Sequence, residues 1–357
     1  MCCPSPIQCV IPPYMIEKLI ESGSRTVATR GIENKFRSYR FRSDRMFFSG
    51  ASDRVRASLV FKKKARAVKP VLEVYSAGNK TSLPGRLLKR ARTGYTDKDA
   101  ERVYQGGIQT WQLYYDLFGR NSIDNAGMAI IQSIHYGTKY QNAFWNGRQM
   151  IYGDGDGTIF GSFTTDVDII GHELTHGVTQ YACNLNYENQ SGAMNESFSD
   201  VFGILVKQRA MNQDARQSDW LIGENVVIGD EYAIRSMKEP GSAYRDHPVL
   251  GSDPQPATMA EYQDLPNTPE GDWGGVHVNS GIPNFAFYVA AYNRGGYAWD
   301  TIGRIWYAVL TDTVRIPPDA TFLNVKEATL YHARNMFGDG SLELKAVEDG
   351  WKAARVE

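Results

Sequence analysis

Between residues 97 and 119 the apolar positions return at helical spacing. Val103, Tyr104, Trp111, Tyr114, Tyr115 and Phe118 define one face. The pattern predicts a helix, which the pair Gly106-Gly107 weakens in its middle. Around it the pattern differs. Glu73-Val74-Tyr75 reads as a strand, as do the stretches Met128–Tyr136 and Gln149–Tyr152. Gly153-Asp154-Gly155-Asp156-Gly157 reads as a tight turn, with its aspartates as turn formers rather than calcium ligands. From Asp166 onward helical spacing takes over. Thr165 or Asp166 caps a helix that runs through residues 172–176. A second helix starts near Ala193 and has an apolar face at Phe198, Val201, Phe202 and Leu205. Residues 211–280 are irregular and rich in Gly, Pro and Asp. Helices return at Pro283–Tyr292, Trp299–Thr313, Asn324–Met336 and Ser341–Arg355. A mixed stretch followed by a helical one predicts an α+β fold with two lobes, 69–165 (β-rich) and 166–357 (mainly helical).

Residues 1–68 stand apart as a leader. Pro12-Pro13-Tyr14-Met15 precedes a short amphipathic stretch from Ile16 to Ser22. An Arg-rich region follows from Arg25 to Arg45. Lys62-Lys63-Lys64-Ala65-Arg66 then reads as an exposed, protease-sensitive linker.

Composition adds one contrast. The 357 residues carry a formal net charge of only −1. Residues 1–70 nevertheless hold 15 Lys and Arg against 5 Asp and Glu, so the remainder is strongly acidic. Opposite charge favours contact between leader and body. No nucleic-acid recognition module accompanies the basic segment, so nucleic acid is not the expected partner. Cys2, Cys3, Cys9 and Cys183 form no disulfide framework. The start lacks a basic n-region and apolar h-region, and no run of about 18 apolar residues suggests a membrane span. The expectation is a monomer that does not enter membranes. It is exported by a route other than a Sec signal peptide, with a cytoplasmic location as the alternative.

The chemistry concentrates at His172-Glu173-Leu174-Thr175-His176. On a helix, His172 and His176 share one face and can reach one metal ion. Glu173 projects roughly 100° further round, within reach of a water on that metal. This is the H-E-x-x-H pattern of zinc peptidases. A catalytic zinc needs a third protein ligand. Glu196, on the next predicted helix, is the candidate. Asp200, one turn further, and Asn195 are placed to accept hydrogen bonds from the ligating imidazoles.

These residues, with Asn142-Ala143-Phe144-Trp145-Asn146-Gly147 and Gly275-Val276-His277-Val278-Asn279-Ser280-Gly281, resemble the thermolysin family of zinc metalloendopeptidases. The resemblance covers about residues 70–357. It implies a two-lobe metalloprotease that binds one zinc through His172, His176 and Glu196. It implies Glu173 as general base toward a water activated by zinc, and Tyr187 and His277 as donors to the reacting carbonyl. Asp272 would orient His277. Asn142 and Ala143 would align a protein or peptide substrate as an added strand. Arg235 would brace a pocket lined by Phe160, Phe163, Ile169 and Ile234, selecting a large apolar residue after the scissile bond. The alternative is a catalytically silent, peptide-binding homologue masked by its leader.

Two departures from the family pattern carry expectations of their own. Asp168, Asp219 and Glu224 match carboxylates of the family's double calcium site, but Lys207 and Leu221 stand where further glutamates belong. The double site is therefore expected to be lost, with a lysine ammonium as its counter-charge. The short leader with Pro12-Pro13-Tyr14 resembles the propeptides of the protealysin subgroup. That implies a zymogen whose own propeptide inhibits it by steric and electrostatic cover rather than by a cysteine thiolate on the zinc.

Overall fold

The computed structural model of the chain describes residues 8–37, 69–90, 94–229 and 231–357. Cys2, Cys3 and the basic linker Lys62–Arg66 lie outside these, as does the end of the Arg-rich region.

Among the described residues, six strands form one sheet in the order β1-β5-β6-β4-β2-β3. They are β1 (Gln8–Cys9), β2 (Leu72–Ser76), β3 (Arg86–Leu87), β4 (Ile130–Ile134), β5 (Ala143–Trp145) and β6 (Met150–Tyr152). The predicted strands are all present: β4 and β6 are shorter than expected, and β2 is longer by one residue at each end. Strand β2 runs parallel to β4, and β4 parallel to β6, while β5 turns back antiparallel on β6. A parallel neighbour needs a crossover, and the long helix α3 (Lys98–Phe118) supplies it between β2 and β4. Asp97 caps α3 by accepting from Asp99 N and Ala100 N, and Gly119 ends it in the left-handed region. Gly106 is no weakness in this setting. A Cβ there would lie 2.6 Å from the Ile170 side chain, so its absence lets α3 approach the next helix closely.

That next helix, α4 (Val167–Gln180), carries residues 172–176, and every position from Asp168 to Thr179 is buried. Asp166 sits at its N-cap position, yet the carboxylate does not cap. It accepts instead from Asn225 N and Nδ2 at 2.8 and 2.7 Å. Helix α5 (Asn189–Met211) starts four residues before the expected Ala193. The C-terminal helices α7 (Gly281–Arg294), α8 (Ile302–Leu310), α9 (Phe322–Phe337) and α10 (Leu342–Ala353) match the predicted ones within a few residues. Two of the short elements in the irregular region, neither revealed by periodicity, matter to the site. One is the ribbon β7 (Leu221–Ile222) with β8 (Arg235–Ser236), and the other is α6 (Asp272–Asn279). Residues 153–157 are not a hairpin turn. Gly153 N and Gly155 N bond back to Asn142 O and Tyr140 O, and the chain turns only after Asp156. The Asp156 carboxylate accepts from the N–H groups of Thr158, Ile159 and Phe160, which leaves it no role as a calcium ligand.

The leader folds onto the body. Its strand β1 extends the sheet beyond β5, with Gln8 opposite Trp145 and Cys9 opposite Phe144. Helix α1 (Pro13–Glu21) follows, with Pro13 in its first turn and Met15, Ile16 and Leu19 buried in the main core. A second leader helix, α2 (25–37), sends Arg30 to Asp156 at 3.3 Å.

Helices α4 and α5 cross at two glycines. A Cβ on Gly171 would meet Gly203 Cα at 3.1 Å, and one on Gly203 would meet Asp168 O at 2.6 Å. Both partners are backbone and cannot turn aside. Gly203→Ala is therefore expected to force α5 away from α4 and to cost about 1–3 kcal/mol. The denaturant midpoint should fall, and an unchanged midpoint would mean that this contact is slack.

Candidate active site

Helix α4 presents His172 and His176, and α5 presents Glu196. All three side chains are fully buried, and one ligand atom from each lies within 4.8 Å of the others. The imidazoles point Nε2 toward Nε2 at 3.0 Å. Their other nitrogens decide what those atoms carry. His172 Nδ1 lies 2.8 Å from Asp200 Oδ1, an acceptor only, so Nδ1 holds the proton. His176 Nδ1 lies 2.9 Å from Asn195 Oδ1 and from Ser199 Oγ. Two lone pairs then face each other with Glu196 at 3.5 and 3.4 Å. Glu196 Oε2 is buried with no hydrogen-bond partner. Such a cluster repels itself unless a cation lies between its members. Two neutral imidazoles and one carboxylate, each imidazole fixed from behind, fit zinc.

Asp200 does more than orient His172. Arg235, on β8, donates Nε and Nη2 to its two oxygens at 2.8 Å each, and Asn284 Nδ2 donates to Oδ2 at 2.9 Å. Burial works against the ionised carboxylate, but Arg235 and His172 outweigh it and hold Asp200 well below the usual range.

Glu173 faces the other way. Both its oxygens are buried without a hydrogen-bond partner. The N–H groups of Val10 and Trp145 face it without reaching hydrogen-bond geometry. Burial, and then the charge on Glu196, push its pKa well above the ordinary carboxylate value. A carboxyl so placed is suited to taking and returning a proton near neutrality.

His277 comes from α6, whose start is unusual. Asp272, Trp273, Gly274 and Gly275 all have positive φ. A Cβ on Gly274 would sit 2.2 Å from Asn189 Oδ1, so only glycine fits that step. The resulting coil turns Asp272 back on the helix. Its Oδ2 accepts from His277 N at 2.7 Å, and its Oδ1 meets His277 Nδ1 at 2.6 Å. Burial lowers the pKa of His277, but Asp272 and Glu196 raise it more, so the net shift is upward. Tyr187 donates its hydroxyl to Glu196 Oε1 and lies 3.1 Å from His277 Nε2.

The leader fills the groove beside these residues. His277 Nε2 lies 2.8 Å from Cys9 O, and Arg235 Nη1 donates to Val10 O at 2.9 Å. Asn142 brackets Ile11, accepting from its N–H at 3.0 Å and donating to its carbonyl at 3.3 Å. It is the Cys9 carbonyl that faces the site. The Cys9 thiol lies 3.5 Å from Ile11 O instead.

Models of the thermolysin metallopeptidase catalytic domain and of the thermolysin metallopeptidase alpha-helical domain match residues 52–180 and 183–356. The chain belongs to the thermolysin family of metallopeptidases. It is 46% identical over 287 residues to Protease PrtS of Photorhabdus sp. (strain Az29), covering 80% of this chain and 76% of that one. It is 44% identical to an extracellular metalloprotease of Pectobacterium carotovorum subsp. carotovorum, covering 80% of each. The precursor of protealysin, a metalloproteinase from Serratia proteamaculans, has the same fold at a TM-score of 0.84. Sequence identity to it is 40%, and the match covers 98% of this chain and 100% of that one. This thermolysin-family protein is thus a peptidase, and the family is zinc-dependent.

The residues flagged as a calcium remnant also meet. Lys207 Nζ reaches Asp219 Oδ1 and Oδ2 at 3.1 and 3.0 Å, Glu224 at 3.4 Å and Asp168 at 3.6 Å. Leu221 contributes its backbone carbonyl at 3.3 Å. Burial disfavours the ammonium, but the three carboxylates outweigh it and raise its pKa. Burial pushes the Asp168 carboxyl up to about 8 even with Lys207 nearby.

Phe160, Phe163, Ile169 and Ile234, expected to line a pocket, are all fully buried in the main core that also holds Val10. Sequence reasoning missed Ser199, Asn284 and the leader residues Cys9 to Ile11. Ser199 had a signal, being one turn from Asn195. Asn284 had none, because only the fold brings it to Asp200. Elsewhere among the described residues, Asp97, Asp99 and His135 also cluster. There both His135 nitrogens are taken, by Asp154 at 2.8 Å and Asp97 at 2.9 Å, so the group reads as an ion-paired surface histidine.

Asn195→Ala removes one of the two groups behind His176. Zinc affinity should fall about 10- to 100-fold, measured by competition with a chelating dye. An unchanged affinity would mean that Ser199 alone fixes the ring.

Proposed function

We propose that the chain is a zinc endopeptidase made as a precursor, with residues 1–68 as propeptide and 69–165 and 166–357 as the two catalytic lobes. His172, His176 and Glu196 hold one zinc. The observation that carries this is the pair of imidazole lone pairs facing each other at 3.0 Å beside the Glu196 carboxylate. Bound zinc supplies a water acidic enough to attack near neutral pH and polarises the scissile carbonyl. Glu173 accepts the proton of the attacking water and returns it to the leaving nitrogen. His277, oriented by Asp272, and Tyr187 donate to the carbonyl oxygen as it gains charge. Asn142 and Ala143 hold the substrate backbone as an added strand, and Arg235 takes the carbonyl of the residue after the scissile bond. Phe160, Phe163, Ile169 and Ile234 line the pocket for that residue, which is therefore large and apolar. The seating of Val10 in the apolar core supports this preference.

The leader acts as the inhibitor. Support comes from the backbone contacts of Cys9, Val10 and Ile11 with the same groups that would hold a substrate. The extracellular metalloprotease among the relatives supports a secreted destination. Glu173→Ala should keep one zinc per chain and lose casein cleavage by about 100-fold or more. Zinc retained together with full activity would remove Glu173 from its role.

Lys207 takes the place of calcium, tied to the backbone and therefore never lost to dilution. The melting temperature of the zinc-loaded protein should be the same in calcium as in a calcium-selective chelator. A clear rise with calcium would show that a calcium site survives around Asp168.

A further inference from the structure

The leader is threaded through the cleft in one direction, and each of its backbone groups meets a different partner. Cys9 O lies on His277 Nε2 at 2.8 Å. The next N–H, of Val10, donates to Ala143 O at 3.2 Å and faces Glu173. Val10 O accepts from Arg235, and both backbone groups of Ile11 pair with Asn142. The peptide bond between Cys9 and Val10 therefore has its carbonyl oxygen on the group proposed to stabilise developing charge. Its nitrogen faces the group proposed to return a proton. The residue after it is apolar and fully buried. Neither of the next two bonds downstream has both features, since the Val10 carbonyl is held by Arg235 and the Ile11 carbonyl by Asn142.

We propose that the Cys9–Val10 bond is a self-cleavage site, the first bond that this active site cuts. The proposal rests on the roles given above to Glu173 and His277. Water adds its oxygen to the Cys9 carbonyl carbon. Glu173 takes a proton from that water and delivers it to Val10 N as the C–N bond breaks. The second proton of the water passes from the new carboxyl to the amine, so the products are a carboxylate on Cys9 and an ammonium on Val10, and no other reactant is needed.

The cut does not release the inhibitor. On the downstream side, Arg235 and Asn142 still hold Val10 and Ile11. Helix α1 remains anchored by Met15, Ile16 and Leu19. On the upstream side, among the described residues, Gln8 and Cys9 are paired with the sheet. Residues 1–9 leave, while a new amino terminus at Val10 stays in the cleft. Self-cleavage and activation are then separate events, and activation requires the rest of the leader to go.

The test uses the full-length chain, prepared with a chelator and then given zinc. Intact mass and amino-terminal labelling should show loss of residues 1–9 and a new terminus at Val10, at a rate independent of protein concentration. Tagged Glu173→Ala chain mixed with wild type should stay whole at this bond, because its own cleft shields it. In parallel, a sample is digested with trypsin until intact mass shows the leader degraded, and is then assayed on casein. Casein cleavage together with an intact Cys9–Val10 bond, or a first cut elsewhere in the leader, overturns this inference and leaves the enzyme reading in place. Inactivity on casein overturns the enzyme reading itself.

A second measurement needs neither zinc nor turnover. In zinc-free protein with Cys2→Ser and Cys3→Ser, the buried Cys9 thiol should resist alkylation. Adding Val10→Asp should raise its alkylation rate at least about tenfold, because an unpaired carboxylate in that apolar seat shifts docking by a decade or more. Equal rates would show that Val10 does not hold the leader in the cleft, and would overturn the proposal.

Discussion

A fully buried carboxylate, that of Asp200, ties this structure together. A charge with no access to water must be met by opposite charge and hydrogen bonds, or it destabilises the fold by several kcal/mol. Asp200 is met from every side. His172 comes from α4, Arg235 from β8 and Asn284 from α7. The same interaction orients one of the two imidazoles and fixes the guanidinium that reaches the cleft. Position in the cleft and readiness at the metal site are thus set by one group, and neither can be altered without the other. The glycine crossing of α4 and α5 completes the arrangement, because it brings His172 and Glu196 close enough to share one ion.

On the proposed reading, tethered groups take the place of free ligands at two places. At Lys207, one ammonium lies 3.0 Å from Asp219, 3.4 Å from Glu224 and 3.6 Å from Asp168. In the groove, the leader's own backbone occupies the donors and acceptors of the cleft. In both cases the covalent link raises the local concentration of the occupant far above anything a free ligand reaches.

Much of this was legible from spacing. The helical period around Trp111 and Tyr114 located α3 to within a residue at each end, because Asp97 and Gly119 are strong cap residues. The set His172, Glu173, His176, Glu196 and Asp200 was readable because its members fall within a single turn on each of two helices. Other features were hidden, for physical reasons. Asn284 and Arg235 reach Asp200 only through tertiary folding. Helix α6 begins with four residues of positive φ, which no periodicity describes. Asp166 looks like a cap by its position, but it bonds Asn225 because the loop there offers better donors. Strand β1 has only two residues, too few to show alternation, and its pairing is fixed by the cleft rather than by its own pattern.

Strand β1 also covers an edge. With the leader gone, β5 has only β6 as a neighbour, and one side of Ala143–Trp145 offers its N–H and C=O groups to whatever arrives. A partner can use that edge only if several consecutive residues are extended and free of hydrogen bonds within their own fold. The edge thus selects for conformation before any pocket selects for a side chain. On the proposed reading, compact proteins would pass by untouched, whereas loosened loops, frayed termini and unfolding chains would be taken. The same bare edge could pair with a second copy, so a leader that covers it until released would also guard the proposed enzyme against its own kind.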